Sequence, residues 1–139
     1  MVVSQQKLRE ILFELLYSHD IAQNQFEDMI PFMMKQHEVT KKTLYTLGAK
    51  KEALVAVLDQ IDQKITDTSV EYAFDRISKV EKNILRLAIF ELCFQEDIPD
   101  KVAISEAVRL SRKFSTPEGA SFVNAILDAI YKEKLSRPA

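Results

Sequence analysis

Histidine and cysteine, which often carry catalysis or bind metals, are sparse in this sequence, and the 21 acidic residues are scattered at the spacing of solvated helix surfaces. His19 and His37 lie far apart, with no cysteine or His-Glu-x-x-His pattern near them, so we expect surface or capping histidines and no zinc site. The single cysteine, Cys93, lies in an apolar run that is typical of a buried, unreactive thiol. Neither a glycine-rich phosphate loop nor a nucleophile elbow is present. We therefore expect a binding protein with no catalytic residues, metal or cofactor.

Composition limits both the fold and the partners. The chain has 139 residues, 47% of them hydrophobic, with two glycines and four prolines, which favours one helical domain over a turn-rich β fold. The net charge is −2, so any contact with nucleic acid must come from a local basic patch. A lone cysteine suits a reducing cytoplasm. The sequence has no signal-peptide pattern and no apolar run of ~18 residues, so we expect no membrane span.

Apolar residues recur at helical spacing along the N-terminal half of the chain. We predict a first helix over residues 4–22, ended by Asn24, and a second around Phe26 that contains Pro31. Residues 39–65 form either one helix bent at Gly48 or two helices. A short helix should follow over residues 70–77.

The C-terminal half has sharper boundaries. Ser78 and Glu81 form a capping box, in which the Ser78 hydroxyl accepts from the Glu81 N–H and the Glu81 carboxylate reaches back to the Ser78 N–H. The helix that follows is apolar on nearly every side, so it should lie at the centre of a bundle and end before Pro99. Thr116 and Pro117 predict the start of the last helix. We expect two helical bundles that share one core, divided near Ser78 into residues 1–77 and 78–139.

Four segments resemble the NusB family of transcription antitermination factors. Residues 80–92 are similar to the family's VEK..LRLA.YEL, residues 98–108 to iP..VAINEAVELAK, residues 122–128 to FVNGVLD, and residues 8–17 to the opening aRe.alqaLY. The segments agree in order and spacing from end to end. The resemblance implies an all-α fold of about seven helices in two packed bundle subdomains.

The resemblance also implies partners. Family members pair with the small-subunit ribosomal protein called NusE, and the pair binds the boxA element of nascent ribosomal RNA. It then joins other Nus factors on RNA polymerase and suppresses premature termination. Some members form homodimers.

The family places RNA contacts at a basic N-terminus and at the segment that leads into the last helix. These regions correspond here to Lys7 and Arg9, and to residues 118–122, including Glu118, Gly119, Ser121 and Phe122. Phe122 can stack on an unpaired base or belong to the core. Gly119 would let the RNA backbone approach the helix. Gln5, Gln6 and Ser121 stand where basic residues are usual, which predicts weaker RNA binding by the isolated protein.

A basic cluster precedes the second RNA segment. Arg109, Arg112 and Lys113 are spaced by three and four residues, which puts them on one face at the end of a helix. They can supply phosphate contacts, or they can complement the helix dipole. Both interpretations stay open on the sequence alone.

For the protein partner, the resemblance points to Tyr17 and Glu81. Tyr17 offers an aromatic face with a hydroxyl group, or it is a half-buried core residue. Glu81 is a helix cap, a partner contact, or both. Arg86, set in an apolar helix, is expected to form a structural ion pair.

Two other functions fit the sequence. One is a helical protein-binding adaptor with weak or lost RNA binding. The other is a NusB-like module associated with an rRNA methyltransferase, although the chain has no glycine-rich loop for that enzyme's cofactor.

Overall fold

The protein is described by a computed structural model that covers residues 2–22 and 25–137. These residues form seven α-helices and one 3-10 turn and no strand, which confirms the all-α prediction. The helices are α1 (Gln5–Ala22), α2 (Phe26–His37), α3 (Lys41–Ala56), α4 (Leu58–Thr68), α5 (Lys79–Phe94), α6 (Asp100–Phe114) and α7 (Pro117–Ser136). Asn24, expected to end the first helix, lies outside the described residues.

Contacts divide the chain into two units after Ala56, earlier than the boundary expected near Ser78. The first unit contains α1 to α3, and the second contains α4 to α7. The physical reason is that α4 packs against α5 and α7, so it belongs with the C-terminal helices.

In the first unit, α3 packs against both α1 and α2. The apolar stripe of α1 is buried as its spacing predicted, and so is that of α3. The buried residues of these two stripes include Ile11, Leu12, Leu15, Leu16, Leu44, Leu47 and Leu54. Gly48 is buried inside α3, and a Cβ at this position would lie only 2.7 Å from the ring of Phe26, so packing against that ring accounts for the glycine. Of the two alternatives for residues 39–65, the two helices are confirmed, and the break between them lies at Val57 (φ −114°, ψ 17°).

Helix α2 ends in a left-handed residue. Glu38 has φ 53° and ψ 46°, and its N–H donates to the carbonyl of Met34. The preceding residue, His37, donates or accepts through Nε2 at 2.7 Å from Glu14 Oε2 on α1. The His37 side chain is only 5% exposed, so the expectation of a surface histidine was wrong there, whereas His19 is exposed.

In the second unit, α5 lies at the centre and packs against α4, α6 and α7. Every residue from Lys82 to Leu92 is buried, as the nearly continuous apolar pattern predicted. The buried polar groups of α5 have partners. Arg86, for example, donates through Nε and Nη2 to the two carboxylate oxygens of Asp62, each at 2.9 Å. Arg86 is thus the structural ion-pair residue expected from the sequence.

The short helix predicted over residues 70–77 was wrong. Only a 3-10 turn forms, over Phe74–Arg76, and the residues on either side of it are extended. Val70 is 92% exposed and Tyr72 51% exposed, so these side chains do not form a buried helical stripe. The Ser69 hydroxyl donates to the carbonyl of Tyr72 at 2.7 Å and holds the segment as a tight loop.

Candidate nucleic-acid and partner interfaces

The turn between α6 and α7 positions most of the predicted RNA residues. α6 ends with the Ser115 N–H donating to the carbonyl of Ser111 at 2.8 Å. Thr116 then caps α7, because its hydroxyl accepts from the Gly119 N–H at 2.9 Å, and Pro117 occupies the first helical turn as predicted. Residues 118–122 therefore lie in the first turns of α7, where helix geometry fixes the direction of each side chain.

Glu81 joins the start of α5 to this turn. Its N–H donates to Ser78 Oγ at 3.2 Å, which confirms the first half of the capping box. Its carboxylate oxygen Oε2 accepts from the hydroxyls of Ser78 at 2.6 Å and Ser115 at 2.7 Å. The capping carboxylate thus also contacts the end of α6. Sequence reasoning missed Ser115, whose partner lies 34 positions away in the chain.

Gly119 is buried against this cluster. A Cβ at position 119 would collide with Ser115 Oγ and would lie 3.1 Å from the Glu81 carboxyl carbon. The absence of a side chain therefore lets Glu81 and Ser115 meet beside α7. Protein packing, in this structure, accounts for the glycine.

Phe122 is half-buried and packs edge-on against Tyr72. The ring centroids are 5.6 Å apart, and the ring planes meet at 80°. Both rings line a groove of about 510 Å³ between residues 68–72 and the first half of α7. Phe122 is thus neither fully core nor fully exposed. Sequence reasoning missed Tyr72, because the apolar pattern assigned this residue to a helix. Its aromatic side chain was the only feature of the sequence that pointed to a binding role.

The three predicted basic residues have different surroundings. Arg109 is half-buried and paired with Glu106, with Nε 2.8 Å from Oε2. Lys113 lies over the ring of Phe114, 5.5 Å from its centroid. Arg112 is exposed, and among the residues that the structure describes it has no hydrogen-bond or ion-pair partner. It lines a second groove, of about 520 Å³, together with Ser121 and Asn124 of α7.

The second unit therefore brings several predicted residues together. Glu81, Glu118, Gly119 and Phe122 line one recess of about 250 Å³, and Tyr72 lines it as well. Ser121 lines both the Tyr72 groove and the Arg112 groove. Arg109 faces Glu106 and does not line either groove.

The remaining predicted residues belong to the first unit, where α1 carries them all. The Lys7 N–H donates to the Ser4 hydroxyl at 3.1 Å, so Ser4 caps the helix. Lys7 and Arg9 are half-buried. Tyr17 is also half-buried and packs against Phe13, with ring centroids 5.9 Å apart.

Within residues 2–22 and 25–137, no group of three or more His, Cys, Asp or Glu side chains is arranged to hold a metal ion. Over the same residues, none of the helices combines the length and apolar character that crossing a membrane requires.

Comparison with known proteins identifies the family. The NusB family model matches residues 6–132. A transcription antitermination protein NusB from Dehalococcoides mccartyi strain CBDB1 is 33% identical over 132 residues, which cover 95% of this chain and 92% of that protein. The solved structure of NusB from T. maritima is similar, with a TM-score of 0.82 and 30% identity over 96% of this chain and 94% of that chain. A crystal structure of the antitermination factors NusB and NusE in complex with double-stranded RNA also matches, with a TM-score of 0.79 and 25% identity over 93% and 96% of the two chains. With these matches along nearly its whole length, the chain belongs to the NusB family.

Proposed function

We propose that this protein is a transcription antitermination factor that pairs with ribosomal protein NusE and binds boxA RNA of nascent ribosomal transcripts. Support comes from the family match over residues 6–132 and from the similarity to NusB bound with NusE and double-stranded RNA. In this role it acts in the cytoplasm without catalysis or a cofactor, and it joins other Nus factors on RNA polymerase. A homodimer is a further assembly that the family suggests.

One observation carries the RNA-binding part of the proposal. Arg112, a cation of α6 without a partner among the described residues, lies in a groove beside the first turns of α7. Phe122, a partly exposed aromatic ring, belongs to those turns. Single-stranded RNA is recognised by this combination, because cations bind its phosphates and aromatic rings stack on its unpaired bases.

The experiment is a salt series of boxA RNA binding, with and without purified NusE. Arg112→Gln should weaken binding and lower the slope of log K against log salt by about 0.7, the value for one phosphate contact on a single strand. Lys132→Gln is the matched control, because Lys132 is an exposed cation of α7 that does not line either groove. An unchanged slope for Arg112→Gln would remove this residue from the RNA site.

Arg109 has a different role in the proposal. Its guanidinium is engaged by Glu106, so it is a structural residue that contributes little to RNA binding. Loss of RNA affinity in a folded Arg109→Gln protein, equal to that of Arg112→Gln, would contradict this division.

For NusE we propose contacts at Tyr17 and Glu81. Glu81 uses Oε2 for both internal hydroxyls, and its other oxygen, Oε1, has no hydrogen-bond partner among the described residues. The same carboxylate can therefore cap α5 and contact a partner. Ser115→Ala is the control for Glu81→Lys, since it removes an internal bond of Oε2 without changing charge. We expect Glu81→Lys to weaken the NusE complex and Ser115→Ala to preserve it.

A specific observation favours a second function, that of a protein-binding adaptor with weak RNA binding. Gln5 and Gln6 lie exposed in the first turn of α1, where the resemblance leads one to expect basic residues. The same salt series separates the two functions. NusE binding with no boxA affinity at low salt would support the adaptor.

A further inference from the structure

The grooves on either side of Ser121 differ in chemistry. The groove toward residues 68–72 has the aromatic rings of Tyr72 and Phe122 on its walls, together with the carboxylates of Glu71 and Glu118. The groove toward α6 has Arg112 and no carboxylate. Ser121 is exposed and is the residue that lines both grooves.

The charges that line the two grooves suit different parts of a nucleotide, the phosphate in one and the base in the other. Phosphate is repelled by Glu71 and Glu118 and attracted by Arg112. A nucleobase is uncharged and offers flat faces to aromatic rings, and its amino or imino hydrogens can donate to carboxylates. The aromatic groove, at about 510 Å³, is within the usual size range of small-molecule sites.

We propose that one unstacked RNA nucleotide straddles Ser121, with its base in the groove of Tyr72 and Phe122 and its phosphate on Arg112. This inference rests on the proposed RNA binding and adds the orientation of the strand. It assigns Tyr72 as a second base-contacting residue. The small side chain at Ser121 is what allows the nucleotide to cross α7.

The acidic walls also set a base preference. Adenine, cytosine and guanine carry amino groups that can donate hydrogen bonds to a carboxylate, whereas uracil can donate only through its imino N–H. We therefore expect an amino-bearing base to bind more tightly than uracil at the position that enters this groove.

The test uses the full-length protein with NusE and a short, fluorescein-labelled, single-stranded boxA RNA. A series of the same RNA carries one abasic site at each position in turn. Tyr72→Leu should weaken binding to the intact RNA about tenfold, because one stacking contact is lost. For the one RNA that lacks the base entering the groove, Tyr72→Leu and the unmodified protein should bind with the same affinity. Arg112→Gln should instead weaken binding to every RNA in the series by a similar factor.

Tyr45→Leu is the matched control, because Tyr45 is an exposed tyrosine of the first unit. Tyr72 is about half exposed and its ring also packs against Phe122, so thermal unfolding of each variant is measured beside RNA binding to show that the protein is folded. Full affinity of Tyr72→Leu for intact RNA, or an equal loss on every abasic RNA, would overturn the assigned orientation while RNA binding stands. Failure of the unmodified protein with NusE to bind any RNA of the series would overturn the proposed function and this inference with it.

Discussion

Arg86 on α5 and Asp62 on α4 form a two-bond salt bridge in which each nitrogen–oxygen distance is 2.9 Å. The side chains are only 10% and 23% exposed, so both charges are largely removed from water. Asn83 accepts a further bond from Arg86 at 3.2 Å. This pair joins α4 to the central helix of the second unit.

Replacing Asp62 by Ala should lower the free energy of unfolding by about 3 kcal/mol, because a buried guanidinium then loses its countercharge. Urea unfolding measures the change. The double variant Asp62→Leu with Arg86→Met should recover most of the loss, since both charges are removed together. A double variant that is less stable than Asp62→Ala would show that packing, and not charge pairing, dominates at this contact.

Glu38→Gly should stabilise the protein by about 0.5–1 kcal/mol. A non-glycine residue in the left-handed region costs ~1–2 kcal/mol, and the greater chain entropy of glycine in the unfolded state offsets part of this gain. The matched control is Ala53→Gly, at an exposed position inside α3, which should destabilise by about 1 kcal/mol. Thermal unfolding of both variants decides the point, and a destabilised Glu38→Gly protein would contradict it.

Gly119→Ala should destabilise the protein by about 1–3 kcal/mol, because the added methyl collides with Ser115 Oγ. Adding Ser115→Ala should restore much of the stability, since the hydroxyl that blocks the methyl group is gone. Ser121→Ala controls for the helix propensity of alanine at an exposed position of the same helix. If Ser115→Ala gave no rescue, steric conflict at this turn would not be the reason for the glycine.

Alkylation of Cys93 should require a higher pH than alkylation of a cysteine in a short peptide. Burial raises the pKa of the half-buried Cys93 thiol, and the positive charges of Lys64, Lys134 and Arg137 oppose the shift without cancelling it. Because the pKa of the thiol is higher in the folded state, its contribution to folding stability is fully present below the unfolded-state pKa. That contribution is lost as the pH rises through the folded-state pKa.

The measurement is the rate of iodoacetamide labelling against pH. Lys64→Gln should move the profile to higher pH, because it removes a charge that favours the thiolate. Lys132→Gln, which changes an exposed lysine that is not among the charges acting on the thiol, should leave the profile in place. A profile at lower pH than that of the peptide would contradict the effect of burial.

Local patterns predicted the second unit well. The cap at Thr116, the first half of the cap at Ser78 and the burial of α5 all depend on residues within a few positions of one another. The sequence therefore contains both partners of each interaction. The contact from Ser115 to Glu81 joins residues far apart in the chain, and no local pattern indicates it.

Two of the failures also depend on contacts between distant parts of the chain. Residues 70–77 have helical spacing of apolar side chains, but Val70 is 92% exposed and Tyr72 51% exposed, so too little packing supports a helix there. His37 was expected at the surface because its partner, Glu14, comes from another helix. For the candidate site, residue types indicated Arg109 and Arg112 equally. This failure is a local one, because Glu106 lies three residues before Arg109 on the same helix, and that spacing could have indicated the ion pair.

The ammonium group of Lys134 donates to the carbonyl of Leu92 at the end of α5 and to Asp100 at the start of α6, each at 2.7 Å. During synthesis on a ribosome, Leu92 emerges 42 residues before the lysine that satisfies its carbonyl. The central helix of the second unit thus lacks one of its final polar contacts until the last turns of α7 leave the exit tunnel. Completion of this unit therefore requires the last turn of α7 to have been synthesised, whatever the order in which its earlier helices form.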